Sequence, residues 1–89
     1  METSQEYSFS NHALEELSKR RIPLDIVSDV VRNPEQIVAV HETRFVHQKR
    51  VLFDRKEYLV RVVIDKDRIP PVIVTAYRTS KIGKYWRAQ

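Results

Sequence analysis

The chain has 89 residues, 42% of them hydrophobic and 31% charged, a mixture that suits one globular domain (residues 1–89) and excludes a disordered one. It contains no cysteine, which excludes disulfides, thiolate nucleophiles and thiolate metal ligands. Its net charge of +4 is divided unevenly, −4 over residues 1–43 and +8 over residues 44–89, so a polyanion is the expected ligand.

The first segment, Met1-Glu2-Thr3-Ser4-Gln5-Glu6, has no basic run followed by an apolar stretch and is not read as a signal peptide. Ser10 is placed to cap a helix from Asn11 to about Arg20, with Phe9 packing on Leu14 as a hydrophobic staple. Ala13, Leu14 and Leu17 share one face of it, and Lys19, Arg20 and Arg21 complement the negative end of its dipole. Ile22-Pro23 breaks the pattern and restarts it. A second helix is predicted from Pro23 to about Arg32, burying Ile26, Val27, Val30 and Val31, and Asn33-Pro34 stops it.

Beyond Pro34 the apolar period changes to two. Strands are predicted over Ile37–His41, Arg44–Phe53, Tyr58–Asp65 and Val72–Arg78. Glu42-Thr43 is the first tight turn, Asp54-Arg55-Lys56-Glu57 a polar turn, and Asp65–Arg68 a loop closed by Pro70-Pro71. A short helix then starts at Thr79 or Ser80 and docks Ile82, Tyr85 and Trp86 on the sheet. The expected fold is α+β, with an ordered core over about residues 8–86. Two N-terminal helices pack on one face of a four-stranded, mostly antiparallel sheet, with a short C-terminal helix. The other face is expected to stay open as a binding surface. No apolar run approaches the ~20 residues of a membrane span, so no membrane association and a cytoplasmic location are expected.

The densest chemistry is Tyr77-Arg78-Thr79-Ser80-Lys81 followed by Lys84-Tyr85-Trp86-Arg87, a strand end passing into a helix start. Arg78, Lys81 and the free N–H groups of that first turn would together hold one phosphate. Arg61 interrupts the apolar run Leu59-Val60-Arg61-Val62-Val63 and, on an open face, offers a fork-shaped clamp to phosphate. Arg44, His47, Lys49 and Arg50 extend the basic character. His12 in a first helical turn and His47 in a cationic strand are the candidate general bases or acids. The histidines lack a metal-binding spacing and the single glycine rules out a glycine-rich phosphate loop, so no metal and no cofactor are expected.

Ser10-Asn11-His12-Ala13-Leu14-Glu15, Arg21-Ile22-Pro23, Asn33-Pro34-Glu35 and Val74–Ile82 through Tyr85-Trp86 resemble the domain of unknown function 4258 family of small bacterial proteins. The resemblance runs from about Ser8 to Trp86, and its layout is similar to BrnT toxins and, more distantly, to RelE/ParE toxins. What it implies is a toxin-like RNA-binding protein: a metal-independent endoribonuclease whose partners are RNA and an acidic antitoxin-like protein. Carried over by position, His12, Arg61, Arg78, Lys81 and Tyr85 match functional places. In that reading a histidine moves the proton, Arg61, Arg78 and Lys81 stabilise phosphoryl charge, and Tyr85 stacks or donates. The alternative is a non-catalytic nucleic-acid-binding or protein-interaction module with a basic face.

Overall fold

The computed structural model describes residues 7–88. Along the chain run β1 (Ser8–Phe9), α1 (Asn11–Arg20), α2 (Leu24–Arg32), β2 (Gln36–Ala39), β3 (Arg44–Phe53), β4 (Lys56–Asp65), β5 (Val72–Thr79) and α3 (Ile82–Tyr85). The strands form one sheet in the order β1-β5-β4-β3-β2. All neighbours are antiparallel except β1 and β5, which run parallel. The expected four strands are thus five, and the sheet is mixed. Two residues are too few to show a period, so β1 is visible only in its bonds: Ser8 N–H donates to the Pro71 carbonyl at 2.9 Å and Ser10 N–H to Ile73 at 3.0 Å.

α1 keeps its expected bounds because both ends are chemically marked. Ser10 Oγ accepts the Ala13 N–H at 3.0 Å, and Arg21 closes the helix in the left-handed region (φ 55°, ψ 48°). Leu14, expected on the buried face, is 43% exposed, while Phe9 packs against the core and lies edge-on to Tyr7 with ring centres 5.7 Å apart. α2 begins one residue late, with Pro23 as its cap. Ala13, Leu17, Ile22, Val27 and Val30 close over Val60, Val62, Ile64, Ile73 and Ala76, forming the core on one face of the sheet. Each such aliphatic side chain contributes on the order of 1.5–3 kcal/mol on burial, with alanine contributing less.

Two tight turns set the register. Glu42 and Thr43 are the centre of the first, where Arg44 N–H donates to the His41 carbonyl at 3.3 Å. In the second, only Asp54 and Arg55 turn (φ 50° and 70°), so Lys56 and Glu57 belong to β4 rather than to the loop. Positive φ at both central residues gives the twist a two-residue hairpin needs. That turn pairs Gln48 with Arg61, and β4 in turn pairs Arg61 with Tyr77.

The second face of the sheet is not open. The chain after β5 crosses it as a strap: α3 is a single turn, followed by Trp86 and Arg87. Gln36 Nε2 donates to the Arg87 carbonyl at 2.7 Å and Gln36 Oε1 accepts the Arg87 N–H at 3.1 Å. Gln48 Nε2 donates to the Tyr85 carbonyl at 3.2 Å, and the Arg50 guanidinium lies 4.4 Å from the Trp86 ring centre. Among the described residues no helix is long and apolar enough to cross a membrane.

Candidate functional site

Beneath the strap, register partners on four adjacent strands form a polar row: Gln36, Gln48, Arg61 and Tyr77. Gln48 is fully buried and Arg61 is 8% exposed. Arg61 Nε donates to Gln48 Oε1 at 2.8 Å, its Nη1 donates to the Tyr77 hydroxyl oxygen at 2.6 Å, and its guanidinium lies 4.4 Å from the Tyr85 ring centre. Among the described residues no carboxylate pairs with Arg61. Burying a cation this way costs several kcal/mol, offset here only by neutral hydrogen bonds and an aromatic face. The row therefore ends in an uncompensated positive charge behind Tyr77.

Tyr77 is one wall of a pocket of about 610 Å³ at the end of β5, lined by Lys19, Arg20, Arg21, Tyr77, Arg78, Thr79 and Tyr85. The lining holds four cations, two phenols and no carboxylate. β1 pairs only with the start of β5, so α1 lies along the remaining edge. Ser10 Oγ donates to the Val74 carbonyl at 3.3 Å and Arg20 Nη1 to the Ala76 carbonyl at 2.9 Å. This packing delivers the basic end of α1 to the basic end of β5. Glu16 holds Arg20 at 2.8 Å and approaches Lys19 at 4.0 Å. Arg21 and Arg78 have no carboxylate partner among the described residues.

The site residues read from the sequence separate into two groups. Arg78 and Tyr85 line the pocket, and Arg61 stands behind it. Arg78 and Arg61 lie on opposite faces, because Arg78 pairs with Val60 and Arg61 with Tyr77. Arg78 stacks 4.3 Å from the Phe53 ring centre and 5.0 Å from that of Tyr58. Lys81 is exposed and outside the lining, and its N–H is taken by Thr79 Oγ1 at 3.0 Å. With α3 only four residues long, the expected phosphate site at a helix start is not built.

His12 is exposed near the start of α1, roughly 10 Å along the helix axis from the basic end at ~1.5 Å per residue. His47 is buried on the helix-covered face. Its Nδ1 lies 3.0 Å from the Val31 carbonyl and so carries the proton, while its Nε2 is buried without a partner. Burial holds its pKa below the ordinary value, against the opposing pull of the Val31 bond. It is a neutral, buried residue outside the lining of the basic pocket. Of the other cations expected on β3, Lys49 Nζ meets Asp29 at 2.7 Å and Arg50 meets Glu35 at 3.0 Å, whereas Arg44 is exposed and has no carboxylate partner among the described residues. The Lys49 and Arg50 hydrogen bonds hold the Asp29 and Glu35 carboxyls below their usual range.

A family model described as Domain of unknown function (DUF4258) matches residues 9–78, more than half of the chain. The chain belongs to the DUF4258 family. No curated protein and no solved structure matches it. The DUF4258 segment contains the polar row and all of the pocket lining except Thr79 and Tyr85. Sequence reasoning gave no role to Gln36 or Gln48, nor to Tyr77 within its basic segment, because those roles depend on cross-strand register. It also assigned Lys19, Arg20 and Arg21 only to the helix dipole, although three consecutive cations ending a helix were themselves a signal.

Proposed function

We propose that this DUF4258 protein binds RNA, gripping the phosphate backbone in the pocket between α1 and β5. The observation that supports this reading is the lining itself: Lys19, Arg20, Arg21 and Arg78 beside Tyr77 and Tyr85, with no acid. Guanidinium forks match phosphate oxygens, and phenol rings give unstacked bases a surface. Affinity for a labelled single-stranded RNA, measured against salt, tests it. Replacing Arg21 and Arg78 by alanine should weaken binding about tenfold or more and lower the salt slope by ~1–2. Wild-type protein that does not bind RNA at low salt would end the proposal.

Metal-independent cleavage is a second reading, favoured by two phenols facing the cations. A 2′-hydroxyl would attack the adjacent phosphorus and the 5′-oxygen would leave. A pocket tyrosine would pass protons, and Arg21 and Arg78 would stabilise the phosphoryl charge. Neither histidine serves in this scheme. RNA incubated with the protein in EDTA should then acquire 2′,3′-cyclic phosphate ends, and Tyr85→Phe should slow their formation; intact RNA would leave binding alone. A toxin-like role, with an acidic protein covering the same cations, belongs to this reading. Growth arrest on induction, relieved by an acidic protein encoded beside the gene, would support it.

A further inference from the structure

The hydrogen bonds donated by the side chains of the buried row all point away from Arg61. A guanidinium donates and never accepts. Gln48 must therefore turn Oε1 toward Arg61, which sends its Nε2 to Gln36 Oε1 at 2.7 Å and to the Tyr85 carbonyl. Gln36 Oε1 is thereby occupied, and its Nε2 goes to the Arg87 carbonyl. On the other side the Tyr77 oxygen is fixed as an acceptor at 2.6 Å. Its own hydrogen has no acceptor among the described residues, and Tyr77 lines the pocket.

From this polarity we infer that Arg61 is a positioning residue that makes Tyr77 a hydrogen-bond donor toward the pocket, so the site selects a ligand presenting an anionic oxygen acceptor, a non-bridging phosphate oxygen. The inference rests on the RNA reading for its full ligand, but the donor assignment concerns the phosphate alone. An isolated phenol can donate or accept and discriminates little. With its lone pair held by a buried guanidinium, Tyr77 offers mainly its proton. The guanidinium forks of Arg20, Arg21 and Arg78 also donate to phosphate oxygens, and Tyr77 adds an uncharged donor beside them.

The test compares RNA carrying ordinary phosphates with RNA carrying phosphorothioates, since sulfur is the poorer hydrogen-bond acceptor. Wild type should bind the ordinary RNA several-fold more tightly. Tyr77→Phe, which keeps the ring, should weaken binding of ordinary RNA about tenfold, leave the salt slope unchanged and clearly reduce the thio preference. Arg61→Met, checked for folding by circular dichroism, should reduce the preference although Tyr77 remains. Arg21→Ala should lower affinity and salt slope while keeping it. An unchanged preference in Tyr77→Phe overturns the inference and leaves the RNA reading standing. In parallel, inorganic phosphate is titrated by NMR into wild type and Tyr77→Phe. Phosphate binding that depends on Tyr77, without RNA binding, upholds the donor assignment and removes the RNA reading. Phosphate binding indifferent to Tyr77, or no binding of either ligand, overturns the inference.

Discussion

His47 shows what a single buried side chain does when only half of its polar capacity is used. Its Nδ1–H is satisfied by Val31, whereas its Nε2 faces no partner, and burial favours the neutral ring. The unfolded chain takes up a proton near pH 6.5, which the folded protein resists until a lower pH. The stabilisation is therefore complete above about pH 6.5 and declines as pH falls toward the folded value, at up to ~1.4 kcal/mol per pH unit. Asp29 and Glu35, whose carboxyls are held low, lose their contributions only below the ordinary carboxylate range. Urea unfolding from pH 7 to pH 5 should show a fall in stability that His47→Gln removes; the same fall in the variant would assign it elsewhere. Arg21 is the complementary case, a pocket cation in the left-handed backbone region that favours glycine. Arg21→Gly should raise stability by about 0.5–1 kcal/mol while weakening RNA binding, and thermal melts beside anisotropy would reveal the trade.

Among the elements, the β3–β4 hairpin governs the site from a distance, because its two-residue turn decides which side chains meet Arg61. Arg55 stands there at φ 70° where glycine is preferred. Arg55→Gly should stabilise the protein by about 0.5–1 kcal/mol without altering RNA affinity, since Arg55 does not line the pocket. A loss of stability in denaturant titration would show that the side chain contributes more than the backbone strain removes. The same hairpin marks the limit of sequence reasoning. α1 was legible almost to the residue, because Ser10 caps it and α1 ends at a basic run. β3 was legible because Arg44–Phe53 carries β-branched and aromatic residues, with no glycine or proline, between two polar turns. The turn Asp54–Arg55 contains no glycine, so Lys56 and Glu57 read as loop and the Gln48–Arg61–Tyr77 register stayed hidden. Arg78 and Tyr85 were legible from local basic and aromatic density. Tyr77 was not, because its importance comes from Arg61, sixteen positions earlier.

For the molecule as a whole, the strap from Tyr85 to Arg87 is the piece that turns a two-sided sheet into a closed structure. It accepts hydrogen bonds from Gln36 and Gln48, donates one to Gln36, and sets two rings against Arg50 and Arg61. Ending the chain after Lys84 would leave a buried cation and two buried amides short of partners. At roughly 1 kcal/mol per hydrogen bond plus the aromatic contacts, this should cost about 3–5 kcal/mol. That is a large part of the roughly 5–10 kcal/mol expected for a domain of this size. The shortened protein should unfold at clearly lower urea concentration and bind a hydrophobic dye; an unchanged midpoint would show that the strap is only laid over a finished fold.

Two of the closures described above join distant parts of the chain. Ser10 reaches Val74 across 64 positions, and Gln36 reaches Arg87 across 51. Neither contact can form until the intervening polypeptide has already lost much of its freedom. The β3–β4 hairpin, which needs only local pairing, is therefore free to assemble first, with edge strand and strap arriving late and together. Folding slower than that of a helical bundle and faster than that of an all-β barrel is expected for this mixture of helices and strands, with the pocket completed only once α1 has docked on β5.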